Sequence, residues 1–107
     1  MNYGYIRVDS VDGSTKWDRL IQEANIKKYC QAEGIDLDDC ICEDCSTITP
    51  VDLRHLGRLL SKMSPGDRLI CNAPRHLSYN TKELKALLKQ CQKNGLDITI
   101  LSELHRK

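Results

Sequence analysis

Three side chains near the amino terminus, Tyr5, Arg7 and Asp9, stand at alternating positions. In an extended chain that spacing puts them on one face and Ile6 and Val8 on the other. A guanidinium inside a strand is costly to bury without a partner. Two arrangements satisfy it. One is a structural ion pair with a nearby acid such as Asp9, the commoner outcome for buried charges. The other is an anion site at the end of a sheet, with Arg7 as its cation.

A second cluster is Cys40-x-Cys42-x-x-Cys45, with His55 or His76 as a further candidate zinc ligand. Structural zinc sites pair two such half-motifs, and only one is present. Cys40 and Cys42 also share one face of a strand, which favours simple burial. A redox Cys-x-x-Cys wants its first thiol at a helix N-terminus, and the next helix start is expected only at Pro50. Cys30, Cys71 and Cys91 sit inside apolar patterns and read as core. Trp17, the only tryptophan, is expected as a packing anchor rather than a base-stacking platform.

The elements that position these residues alternate. Strands are expected at Tyr3–Val8, Ile35–Cys42, Arg68–Cys71 and Asp97–Leu101, the last two introduced by Pro65-Gly66-Asp67 and Asn94-Gly95. A helix from about Trp17 to Glu33 carries Ile26, Tyr29 and Cys30 on one face. A second starts with Thr49 as N-cap and Pro50 at its first position, with an apolar stripe of Leu53, Leu56, Leu59, Leu60 and Met63. A third follows Asn80, with Glu83 in its first turn and Leu84, Leu87, Leu88 and Cys91 as its stripe. Strand–helix alternation with connections this long suits parallel strands. The expected fold is therefore α/β, a small three-layer sandwich with a mostly parallel sheet of four to five strands flanked by helices. Function in such a sheet gathers at the carboxyl ends of its strands.

The 107 residues make one domain, 1–107. The longest apolar runs fall far short of the ~20 residues of a membrane span. Met1-Asn2-Tyr3-Gly4-Tyr5 has no basic region followed by an apolar one, so a cytoplasmic chain with reduced thiols is expected. Lys plus Arg number 16 against 15 acids, a net charge of +1, which excludes the strongly basic type of nucleic-acid binder. Any contact with DNA is expected to be weak and non-specific.

Tyr5-Ile6-Arg7-Val8-Asp9-Ser10 resembles the Tyr-x-Arg-Val-Ser opening of serine recombinases, the resolvase and DNA-invertase family. Further segments resemble the family in order: Gln22-x-x-x-Ile26-x-x-Tyr29-Cys30, Glu43-x-x-Ser46, Arg54-His55-Leu56-Gly57, Gly66-Asp67-x-Leu69-Ile70, and His76-Leu77-Ser78-Tyr79-Asn80-Thr81-x-Glu83-Leu84. The stretch Val11 to Asp18 is longer than usual. The resemblance implies the resolvase catalytic-domain fold and a site built from Tyr5, Arg7 and Arg54. It also places the nucleophilic serine at Asp9 and two later active-site arginines at His76 and Tyr79.

Those departures bear on the chemistry. The family reaction attacks a DNA phosphodiester with a serine oxygen while arginines offset charge in the transition state. A carboxylate at Asp9 repels the phosphate and occupies the arginine site itself. The expectation is an inactive member, an accessory or relic protein that partners a full-length recombinase or itself. The alternative is an active recombinase or phosphoryl-transfer enzyme using Ser10 or Asp9 with Arg7 and Arg54. Ser10 is a weaker nucleophile candidate, one residue out of strand phase, and Arg75 is read as a solvated loop cation. No cofactor or metal is expected, nor a helix-turn-helix domain within this sequence.

Overall fold

Tyr5, Leu69, Cys71 and Ile100 form one apolar face, Ile6 and Ile70 the opposite one, and the sheet that carries them is covered on both sides. The computed structural model describes residues 1–9, 16–45, 51 and 54–104. Its strands are β1 (Asn2–Val8), β2 (Asp39–Asp44), β3 (Arg68–Cys71) and β4 (Asp97–Ile100). They lie in the order β2-β1-β3-β4 and every pairing is parallel. The helices are α1 (Lys16–Glu33), α2 (His55–Lys62), α3 (Pro74–Leu77) and α4 (Thr81–Lys93), and a short 3-10 turn, Leu101–Glu103, follows β4.

Alternation along each strand sets the layers. Leu56 and Leu59 of α2, Leu77 of α3 and the Leu84, Leu87, Leu88 stripe of α4 pack on the Tyr5 face. Ile26 and Cys30 of α1 pack on the Ile6 face. This is the expected three-layer α/β sandwich, with four strands among the described residues. Cys30, Cys71 and Cys91 are buried as expected. Asn80 caps α4, its side-chain oxygen accepting from Lys82 N (2.9 Å) and Glu83 N (3.0 Å).

Three expectations need correction, and one element had no counterpart among them. The second strand runs Asp39–Asp44, not Ile35–Cys42. Residues 35–38 serve the exit from α1: Gly34 turns the chain at φ 66°, and Ile35 N donates to Cys30 O (2.8 Å). Ile35 and Leu37 then pack back against the α1 side of the core. Pairing with β1 starts at Tyr3↔Asp39 and continues through the acidic Glu43 and Asp44.

The second helix begins at His55, because Arg54 is extended (φ −104°, ψ 163°). The expected cap at Thr49 and start at Pro50 lie outside the described residues, as does Leu53. The helical turn α3 was not anticipated. Trp17 is no packing anchor: it is 73% exposed, nine residues and so half a helical revolution from the buried Ile26.

Candidate active site

Pairing runs outward from the centre of the sheet, β1 to β2 on one side and β3 to β4 on the other. The crevice for a ligand in such a sheet lies at the carboxyl ends of the two central strands, here β1 and β3. Tyr5, Arg7 and Asp9 reach that end from β1, Glu43 from β2, Arg54 from the start of α2, and His76 and Tyr79 from α3 and its exit.

Arg7 lies beyond the reach of β3, whose last residue, Cys71, pairs with Tyr5. A side chain replaces the missing strand. Gln22 of α1 accepts from Arg7 N at Oε1 (3.2 Å) and donates from Nε2 to Arg7 O (2.9 Å). Both orphaned backbone groups are thereby satisfied. The Arg7 guanidinium donates to Cys45 O (3.1 Å) and meets Asp9 Oδ2 at 4.0 Å. The exposed Tyr79 ring lies against it, 5.6 Å from Cζ to the ring centroid. The Arg7–Asp9 pairing suggested by their shared strand face is thus present.

Glu43 is the hub of the other half. Its carboxylate accepts from Tyr5 Oη (2.7 Å), His55 N (2.7 Å) and Leu56 N (3.4 Å). A strand residue therefore caps α2 with a negative charge where the helix dipole favours one. Burial, and then the bond to Glu43, push the Tyr5 hydroxyl well above the usual phenol range. Arg54 donates from Nη1 to Tyr5 Oη (3.4 Å) and His76 O (3.3 Å), and from Nη2 to Leu77 O. It ties α2 to α3 through the α3 carbonyls.

His76 is buried, and its Nδ1, like Arg54 Nε, has no hydrogen-bond partner among the described residues. Burial, then Arg75 and Arg7, push its pKa down to about 4, against the opposing pull of Asp18. The imidazole is neutral at pH 7.

Arg7, Asp9, Glu43 and Arg54 are each no more than 7% exposed. Two guanidiniums and two carboxylates, with a neutral histidine, leave the buried site with no net charge. Arg7 lies between Asp9 and the Tyr79 ring, and Arg54 donates to Tyr5 and the α3 carbonyls from its terminal nitrogens.

Ser10 lies outside the described residues, and Arg75 is exposed. Cys40 and Cys42 pack against the α1 side of the core, and burial pushes the Cys40 thiol up to about 11. No group of three His, Cys, Asp or Glu placed to hold a metal occurs among the described residues. Two participants were read in the sequence only as parts of the resemblance, without a role in the site. Gln22 gave one signal, a polar residue four before Ile26 on the buried stripe. Glu43 stood out in Glu43-x-x-Ser46 as the start of a loop, whereas it lies inside β2 and caps α2.

A family model described as "Resolvase, N terminal domain" matches residues 2–107. Among solved structures, the N-terminal catalytic domain of TP901-1 integrase superposes with a TM-score of 0.75 at 22% identity, covering 95% of this chain and 77% of that one. The C-terminal catalytic domain of ISC1926 TnpA, an IS607-like serine recombinase, gives 0.75 at 17% identity over 99% and 70%. A serine recombinase from Sulfolobus solfataricus gives 0.70 at 20% identity over 94% and 66%. At these identities the likeness is one of fold. No curated protein sequence matches the chain.

Proposed function

The chain belongs to the resolvase N-terminal domain family, and from that premise we propose that it retains the family's site without its strand-cleaving chemistry. The observation that carries this reading is the buried Asp9 beside Arg7, 4.0 Å apart, with Tyr79 against the same guanidinium. Asp9 holds the position of the family's nucleophilic serine. A phosphodiester entering there meets a carboxylate instead of a hydroxyl. His76 and Tyr79 stand where the resemblance expects two further arginines, and neither supplies a cation at neutral pH. Removing one such electrostatic contact to a transition state costs about 10²–10³ in rate.

The function that remains is non-catalytic, an accessory role through protein contacts with weak, salt-sensitive attraction to DNA. The test is direct. The protein is incubated with supercoiled DNA carrying the target of a neighbouring recombinase, denatured, and resolved for protein covalently joined to DNA. None is expected. A covalent species mapping to Ser10 or Asp9 would overturn the proposal in favour of an active recombinase.

A further inference from the structure

Four lysines stand on one face of α4. Lys82, Lys85, Lys89 and Lys93 are all exposed and follow one another at spacings of three and four, opposite the apolar stripe that packs inward. They span about 17 Å of the helix at its rise per residue. Each is a like-charge neighbour of the next, which destabilises a helix taken alone. Lys82 also sits in the first turn, where the helix dipole disfavours a cation. The one acid of α4, Glu83, accepts from Ser78 Oγ (2.6 Å) and Val51 N (3.1 Å). No ion pair joins any of the four lysines to an acid among the described residues. The row therefore does not serve α4 itself. Beside it lies a groove of about 300 Å³ between α2 and α4. Gly57, Leu60 and Ser61 form its α2 wall, and Leu87, Gln90 and Asn94 its α4 wall. No charged side chain lines it among the described residues. Gly57 lowers helix propensity inside α2 and leaves that wall without a side chain. Arg58, exposed on the outer side of α2, adds a cation to the opposite rim.

We propose that the α2–α4 groove takes an amphipathic helix of a partner protein, with apolar side chains seated in the groove and acidic ones on the α4 lysines. Helix-in-groove recognition needs an apolar channel walled by rigid elements, and α2 and α4 supply one. The lysine row selects the sign of the partner's flank, since complementary potentials across an interface favour the right partner and fix its register. A duplex phosphate backbone would satisfy the lysines but has no apolar ridge to fill the groove, so the two features together favour a protein. A second copy of the chain is a poor fit, because the surface of α1, its longest helix, mixes Arg19, Lys27 and Lys28 with Glu23 and Glu33. The role of such a partner rests on the accessory reading proposed above, whereas the groove does not. Binding to the groove and covalent attachment to DNA are measured separately, so each can fail alone.

The test is an amide-resonance titration of the isotope-labelled chain with a helical peptide of about 15 residues. Its leucines recur at the three–four spacing of one face, and glutamates flank them. Saturable shifts are expected at Gly57, Ser61, Gln90 and Asn94, with a Kd below about 1 mM at near-physiological salt. A peptide of the same composition with its leucines scattered should bind about tenfold more weakly or worse. Ser61→Phe fills the groove from an exposed position, and the double variant Lys85→Glu, Lys89→Glu reverses the charge beside it. Each should weaken binding by about tenfold or more. A peptide carrying lysine in place of glutamate should prefer the double variant to the natural chain, which separates a lost contact from a lost fold. No saturation by about 1 mM, equal binding of the scattered peptide, indifference to either variant, or a reversed peptide without that preference would each overturn the proposal. So would a DNA duplex of about 20 base pairs that outcompetes the peptide, which would assign the face to nucleic acid, or groove shifts on diluting the chain alone, which would assign it to a second copy.

Discussion

Removing the Glu43 carboxylate should cost this fold more than any single apolar contact. It accepts three hydrogen bonds while buried, from Tyr5 Oη, His55 N and Leu56 N. Bonds to a charged group contribute about 1.5–3 kcal/mol each, and part of that is recovered when water or neighbours replace them. Glu43→Ala also removes the acceptor at the start of α2 and leaves the buried Tyr5 hydroxyl without it, and losing a cap alone costs about 0.5–2 kcal/mol. A loss of about 4 kcal/mol is expected against a total of about 5–15 for a domain of this size. Glu43→Gln keeps one acceptor oxygen and should lose about half as much. Urea denaturation reads this as a fall in midpoint of about 2 M at an unchanged slope of about 2 kcal/mol per M. A double-mutant cycle with Tyr5→Phe should show coupling of at least about 1 kcal/mol. A loss below about 1 kcal/mol for Glu43→Ala would refute the hub described here.

Asp9→Ala should destabilise by about 3 kcal/mol or more, because both side chains of its pair with Arg7 are under one-tenth exposed; denaturant melts check this, and a loss below about 1 kcal/mol would place the pair in an exposed-like environment. Stability should also fall with acid through His76. Its folded pKa of about 4 lies below the unfolded value of 6.5, so the unfolded chain binds the proton first and the fold weakens as pH drops from about 6.5 to about 4. The contribution is up to about 3 kcal/mol. The pH dependence of unfolding in that window should flatten in His76→Asn, and an unchanged slope would contradict the assignment.

The architecture was legible because period and punctuation agreed. The strand at Arg68–Cys71 and the Asn80-capped helix need only local signals, and both stand where the sequence put them. The second strand was misplaced because Ile35 and Leu37 look like strand residues but pack as the exit from α1. Trp17 misled for the opposite reason: a lone tryptophan is usually buried, yet the phase of α1 turns it outward. In the site, the Arg7–Asp9 pair followed from alternation alone. The cap that Glu43 places on α2 joins residues twelve apart through a side chain, and Gln22 stands in for a strand that has ended. Neither relation leaves a local pattern to read. The same holds for Arg54, whose bonds to the α3 carbonyls depend on a helical turn with no sequence signal strong enough to announce it.

The proposed function rests on Asp9 filling the anion site beside Arg7. The most direct test is titration with inorganic phosphate while following the Arg7 side-chain Nε–H resonance, in the natural chain and in Asp9→Ser. No saturable change is expected in the natural chain and a saturable one in Asp9→Ser, where the carboxylate no longer stands beside Arg7. Saturable binding at Arg7 with Asp9 in place would contradict it.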